Sequence, residues 1–97
     1  MITGFGNKVT EDIYNGIHSK NARKFPQNLL PIAYRKLDMI NSAHAINDLR
    51  FPPGNRLEPL KGNFAGFYSI RINDQYRIVF KLTGSHAEKV QIIDFHR

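Results

Sequence analysis

Residues 68–80 are Tyr68-Ser69-Ile70-Arg71-Ile72-Asn73-Asp74-Gln75-Tyr76-Arg77-Ile78-Val79-Phe80. Apolar side chains occupy the even positions on both sides of Asp74, and polar side chains occupy most of the odd ones. This alternation predicts two half-buried strands joined by a turn. A three-residue loop centred on Asp74 pairs Ile70 with Ile78 and Arg71 with Arg77, so that each face stays uniform. A two-residue loop would mix apolar and polar side chains on one face.

The favoured register sets the two arginines directly opposite each other on the face away from the core. Like charges in this position destabilise a sheet, so the arginine pair favours binding of an anion between the two side chains. Phosphate fits, because the planar guanidinium group pairs with phosphate oxygens and stays protonated. The alternative is a structural ion network in which Asp74, Asp94 or Glu58 neutralises the pair.

The elements outside this hairpin are a further strand and two helices. Val90, Ile92 and Ile93 form the last strand. Thr10 is expected to cap a short helix that Gly16 ends. A longer helix follows, because an apolar stripe recurs at spacings of three and four residues at Leu30, Ala33, Leu37 and Ile40. The polar side of this helix carries Arg35, Lys36 and Asp38, and we expect it to face solvent.

Helices precede strands along the chain, which predicts an α+β fold. We expect N-terminal helices packed on one face of a small antiparallel β-sheet, in a single domain spanning residues 1–97. Because cysteine is absent, disulfides and thiolate metal sites are excluded. No signal peptide is visible and no stretch is long enough to cross a bilayer, so we expect a cytoplasmic protein.

The charge distribution points to a polyanionic partner. The net charge is +6, and residues 50–81 hold six basic and two acidic side chains, a net charge of +4. Such a concentration favours electrostatic steering toward nucleic acid. A solvated basic face that only maintains solubility is the alternative.

The same residues suit RNA cleavage by attack of a 2′-hydroxyl on its neighbouring phosphodiester. That reaction needs a base, a proton donor for the leaving oxygen and cations around the developing charge. Lys61 adds a cation, and His96 is the natural acid or base because imidazole titrates near neutral pH, although a surface histidine is the alternative. Glu58 either accepts a proton or only balances Arg56. The side chains expected to contact RNA are Arg56, Phe67, Lys81 and Phe95.

Metal and nucleotide cofactors find no support in the sequence. The histidines at positions 18, 44, 86 and 96 are too widely separated for paired ligand spacing. Neither a Walker loop nor a dinucleotide fingerprint is present. We therefore expect a protein that works without a cofactor.

The chain resembles the HigB-type toxins, also called plasmid maintenance system killer proteins, of the RelE/ParE superfamily. The segments that carry the resemblance are 35–38, Leu49-Arg50, 52–58, Leu60-Lys61-Gly62, 68–78 and Asp94-Phe95-His96. The resemblance implies a type II toxin that enters the ribosomal A site and cuts mRNA there. It also implies a HigA-like helix-turn-helix antitoxin as partner, contact with operator DNA only through that antitoxin, and no membrane partner.

The resemblance also implies a set of functional residues. By position, the candidate catalytic residues are Lys61, Arg71, Arg77, Asp94 and His96, with Glu58 as a further member. Relatives commonly carry tyrosine where Phe95 stands, and some carry histidine at the position of Glu58. Two other functions compete: a ParE-like inhibitor that binds DNA gyrase without catalysis, and a basic RNA-binding module without activity.

Overall fold

A computed structural model describes residues 1–95, and residues 96 and 97 lie outside the described part. Two helices, α1 (Lys8–Tyr14) and α2 (Leu30–Ser42), precede the strands β1 (Glu58–Pro59), β2 (Tyr68–Arg71), β3 (Tyr76–Thr83) and β4 (His86–Asp94). Single 3₁₀ turns join several of them. The strands form one antiparallel sheet in the order β1-β2-β3-β4. The α+β fold predicted from the sequence is therefore confirmed.

The register of the β2–β3 hairpin is the one predicted from the alternation of apolar and polar residues around Asp74. Ile70 lies opposite Ile78 and Arg71 lies opposite Arg77. Both isoleucines are fully buried, together with Phe80 on the same face. Alternation along the strands consequently sends the two arginines to the outer face, away from the helices.

Strand β4 contains a bulge that the alternating pattern does not reveal. The pairing of β3 with β4 shifts between Val79 and Lys81, and Lys89 adopts a positive φ of 51° on the bulged strand. The extra residue lets both Val90 and Ala87 reach the core although one is even-numbered and the other odd-numbered.

The N-terminal segment lies along the free edge of β4. Ile2 and Phe5 form isolated parallel bridges with Ala87 and Val90. The amide of Thr3 donates to the Ala87 carbonyl at 2.8 Å. This segment covers an otherwise unpaired strand edge, which protects it from pairing with other chains.

The N-cap of α1 is Asn7, so the prediction of Thr10 as the cap was wrong. The Asn7 side chain accepts a hydrogen bond from the Thr10 amide at 3.0 Å. Thr10 is instead buried within the first turns, where its hydroxyl accepts from the Ile92 amide at 2.8 Å. The threonine therefore ties α1 to β4 rather than starting the helix.

The apolar stripe of α2 packs on the sheet as predicted, but its polar side is not wholly solvated. Ala33, Leu37 and Ile40 are fully buried. Lys36, expected to face solvent, is also buried, and its ammonium donates to the side-chain carbonyl of Asn55. Burial, and then the charges of Arg35 and Arg71, lower the pKa of Lys36.

Asn55 closes the loop that leads from α2 to β1. Its side-chain nitrogen donates to the carbonyls of Leu49 and Phe51, each at 3.2 Å, and the residue is fully buried. One side chain thus satisfies two main-chain carbonyls and one buried ammonium. The loop is held in one shape directly before Arg56.

Within residues 1–95, none of the helices is long and apolar enough to span a membrane.

Candidate active site

Arg77 is the most firmly held cation of the outer face. Its Nε donates to the Ser69 hydroxyl at 2.8 Å, and its Nη2 donates to the Arg56 carbonyl at 2.5 Å and the Ser69 carbonyl at 3.4 Å. Only 13% of the side chain is exposed. In the part of the chain that the structure describes, none of these bonds uses Nη1. The guanidinium is therefore fixed on one side and keeps donors for a ligand.

The surroundings of Arg77 favour binding of an anion. Burial lowers the pKa of Arg77 below its ordinary value; Glu58 acts in the opposite direction, and the charges of Arg71 and Arg56 lower the pKa further. An arginine remains protonated at neutral pH despite such a shift. A cation that is desolvated and beside other cations gains more from a phosphate than one in open water does.

Glu58 reaches this site because β1 pairs with β2. It lies opposite Ser69, and its carboxylate oxygen Oε1 is 3.6 Å from Arg77 Nε. The carboxylate is about half exposed. Glu58 therefore both balances Arg77 and lies where a proton acceptor could reach a ligand of that arginine.

Arg71 has a different acidic partner. Its Nη2 donates to Asp74 Oδ1 at 2.5 Å, with 33% of the Arg71 side chain and 99% of the Asp74 side chain exposed. Each of the two opposed arginines thus has a carboxylate of its own. This arrangement agrees with the alternative of a structural ion network, in which Asp74 and Glu58 neutralise the pair. Exposed ion pairs contribute little stability, so an incoming phosphate can replace Asp74 at small cost.

We expect the Arg71–Asp74 contact to be detectable in the acid titration of the Asp74 carboxyl group. Hydrogen bonding by Arg71, and then its charge, holds the pKa of Asp74 below its ordinary value of 3.8. Because the folded-state pKa is the lower one, the contact stabilises the fold above pH 3.8 and this contribution disappears as pH falls through the folded-state pKa. Carboxyl NMR titration should give an Asp74 midpoint below 3.8 that rises in Arg71→Gln. Equal midpoints in the two proteins would contradict the contact.

Arg56 contributes its main chain to the site as well as its charge. The residue is in the left-handed region, with φ 45° and ψ 54°, and its carbonyl is the acceptor for Arg77 Nη2. The Arg56 side chain is exposed. The cation predicted to contact RNA is therefore present at the surface beside the arginine pair.

Lys61 lies in the turn that follows β1. It is exposed, and its carbonyl accepts from the Phe64 amide at 3.2 Å. Within residues 1–95 its ammonium makes no hydrogen bond or ion pair, so it is available to a ligand. Phe67, half-buried, packs edge-to-face on Phe64 with ring centroids 5.5 Å apart.

Asp94 lies on a different face from the two arginines. It pairs with Tyr76, whose side chain contacts Phe25 on the helix side, with ring centroids 5.0 Å apart. The carboxylate accepts from Gln75 Nε2 at 3.0 Å. A groove of about 230 Å³ runs beside it, lined by Asn7, Val9, Lys24, Phe25, Tyr76, Ile92 and Asp94. The structure therefore does not place Asp94 on the face that carries Arg71 and Arg77, and its carboxylate contacts Gln75 in the turn between β2 and β3.

Phe95 and Lys81 are the other predicted residues that the structure describes. The Phe95 amide donates to the Gln75 carbonyl at 2.6 Å, which extends the β3–β4 pairing by one residue. Lys81 is exposed and opposite Glu88, roughly 13 Å along β3 from Arg77. His96 lies outside the described residues.

Among residues 1–95, no group of three or more acidic or histidine side chains could hold a metal ion.

The outer face of the sheet therefore presents a fixed, partly buried guanidinium among exposed cations. A model of the HigB-like toxin family, described as the RelE-like toxin of the type II toxin–antitoxin system HigB, matches residues 3–96. The chain belongs to this family.

Two relatives are similar to this HigB-like toxin, and the first of them, a named HigB toxin, supports its membership of the family. Toxin HigB-1 of Vibrio cholerae is 42% identical over 81 residues, which cover 84% of this chain and 83% of the relative. An uncharacterized protein of Haemophilus influenzae is 42% identical over 79 residues, covering 81% and 74% respectively.

Solved structures share the fold of this HigB-like toxin at low sequence identity. The YoeB–YefM complex from Staphylococcus aureus matches with a TM-score of 0.61 at 18% identity, covering 100% of this chain and 99% of that chain. YafQ from E. coli matches with a TM-score of 0.60 at 18% identity, covering 98% and 92%. These likenesses extend to the helices packed on the antiparallel sheet.

Two parts of the site were missed by reasoning from the sequence. The Ser69 hydroxyl and the Arg56 carbonyl are both acceptors for Arg77. Ser69 shares the outer face with the arginines, and a small polar residue beside them is a signal that could have been used. A carbonyl leaves no such signal in the sequence, because every residue carries one.

Proposed function

We propose that this HigB-like toxin is a ribosome-dependent endoribonuclease that inhibits translation by cutting mRNA in the ribosomal A site. The observation that carries the proposal is the immobilised guanidinium of Arg77, which keeps Nη1 for a phosphate oxygen beside a second arginine. Donors fixed before reaction stabilise developing charge without reorganising in the transition state.

The proposed reaction is attack of a 2′-hydroxyl on the adjacent phosphorus, which expels the 5′-oxygen of the next nucleotide. Arg77 and Arg71 would stabilise the charge on the phosphoryl oxygens, and Lys61 would add a third cation. His96 would move a proton as acid or base, with Asp94 or Glu58 as the complementary carboxylate. Such a reaction leaves a 2′,3′-cyclic phosphate on one product and a 5′-hydroxyl on the other.

A protein partner is part of the proposal. We expect neutralisation by a HigA-like helix-turn-helix antitoxin, with operator DNA bound only through it, and action in the cytoplasm. The solved YoeB–YefM complex pairs a toxin of this fold with its antitoxin. The net charge of +6 suits ribosomal RNA as a docking surface.

Target identification in growing cells tests this function. Primer extension on transcripts after induction should reveal cuts in phase with codons, while DNA gyrase supercoiling stays normal. A chain with Arg77→Ala, expressed at the same level, should give neither cuts nor growth arrest. Inhibited supercoiling with intact transcripts would show a ParE-like gyrase inhibitor, and ribosome binding with every transcript intact would show a non-catalytic RNA-binding module.

A further inference from the structure

Phe51 is an aromatic side chain that the fold leaves in solvent. Its exposure is 73%, the highest among the large hydrophobic side chains of residues 1–95. Phe67 and Phe95, the rings that the sequence suggested for stacking, are only partly exposed. A single exposed apolar residue is ordinary on a protein surface. Phe51 differs from such a residue because its main chain is anchored and exposed arginines lie beside it in the sequence.

The buried side chain of Asn55 anchors the main chain at Phe51 and at Leu49, two residues earlier. Asn55 donates one hydrogen bond to the Phe51 carbonyl and another to the Leu49 carbonyl, each at 3.2 Å. Asn55 itself accepts from the buried ammonium of Lys36. The ring is therefore presented by a fixed loop, so a ligand that stacks on it loses little further conformational freedom.

The charges around Phe51 favour a polyanion. Residues 50–56 contain two arginines, Arg50 and Arg56, and no acidic residue. Both arginines are exposed. The nearest acids in the sequence have other partners, because Asp48 accepts from the amides of His44 and Ala45 and Glu58 lies against Arg77.

The loop is joined directly to the proposed catalytic guanidinium. The Arg56 carbonyl, one residue beyond the anchor, accepts from Arg77 Nη2 at 2.5 Å. A strand whose phosphate binds Arg77 would therefore pass beside this loop. That continuity favours the message over ribosomal RNA, which has no need to reach Arg77.

We propose that Phe51 is a stacking platform for an unpaired base of the mRNA, with Arg50 and Arg56 against the flanking phosphates. This inference rests on the proposed function and names a contact that positions its substrate. Stacking on an aromatic face tolerates any base, so the platform would strengthen binding without specifying a codon.

The test compares binding of the full-length chain to ribosomes with and without a message. The message carries a 2′-deoxynucleotide at the A-site codon, so that it binds but is not cut. Phe51→Ala should weaken binding to the programmed ribosomes by about 5- to 150-fold, while Phe51→Tyr, which retains a ring, should bind like the native chain. Ile17→Ala is the control, because Ile17 is an exposed apolar residue outside this loop.

Each other outcome overturns the platform. An equal loss on ribosomes without a message would assign Phe51 to ribosomal RNA, and a loss confined to antitoxin binding would assign it to a protein interface. Unchanged binding everywhere would leave Phe51 without a role in recognition. Cutting of the unmodified message by the native chain reports separately on the proposed function, so the two failures remain distinguishable.

Discussion

Arg77→Ala is expected to slow cleavage of a ribosome-bound message by on the order of 10²- to 10³-fold, the typical effect of removing one fixed donor that stabilises transition-state charge. The native guanidinium is held through Nε and Nη2 by Ser69 and the Arg56 carbonyl. Lysine cannot reproduce this geometry, because a single ammonium cannot bond to both acceptors and a phosphate in the same plane. Arg77→Lys should therefore recover little of the rate.

Comparison variants make this result specific to Arg77. Arg71→Ala should cost less, because Arg71 is more exposed and its carboxylate partner within residues 1–95, Asp74, lies in solvent. Arg35→Ala removes an exposed cation of α2 and should leave the rate unchanged. Far-ultraviolet circular dichroism and the melting temperature should show that each variant is folded. A folded Arg77→Ala variant that cuts at the native rate would contradict the assignment.

Asn55→Ala is expected to destabilise the fold by about 3–5 kcal/mol, because it removes two buried hydrogen bonds and leaves the Lys36 ammonium without its partner. The three contacts involved are those to the Leu49 carbonyl, the Phe51 carbonyl and Lys36 Nζ. Such a loss is a large share of the 5–15 kcal/mol that is typical of a folded domain. The free energy of unfolding in urea measures it.

Two further variants test the physical cause. Adding Lys36→Met to Asn55→Ala removes the unpaired ammonium and should restore part of the lost stability. Asn47→Ala removes an exposed asparagine whose side chain accepts from Arg50 Nε at 2.9 Å, and should change stability by no more than about 0.5 kcal/mol. An effect of Asn55→Ala as small as that of Asn47→Ala would contradict the loop's anchorage.

The alternation of apolar and polar residues was sufficient to predict the hairpin register, because a strand has only two faces and one of them must be apolar. The sequence alone therefore predicts that Arg71 lies opposite Arg77, as the structure shows. The same rule could not assign Asp94 a face. That assignment depends on where β4 pairs with β3, and the bulge at Lys89 changes the phase of β4.

The buried polar contacts were beyond sequence reasoning for a different reason. Lys36 falls on the polar side of the α2 helix, and only the tertiary position of Asn55 makes that side an interior one. The left-handed conformation of Arg56 is likewise fixed by the loop rather than by residue type, since arginine has no preference for it. Hydrogen bonds between distant side chains and carbonyls follow from the packed loop and have no period in the sequence.

The most direct test of the central claim is incubation of the purified chain with ribosomes that hold an end-labelled message, followed by analysis of the product ends. The account predicts cuts within the A-site codon that leave a 2′,3′-cyclic phosphate and a 5′-hydroxyl, no cuts without ribosomes, and none when the 2′-hydroxyl at the cleaved position is replaced by hydrogen. A message that stays intact on ribosomes with the native chain, or that is still cut without that hydroxyl, would contradict it.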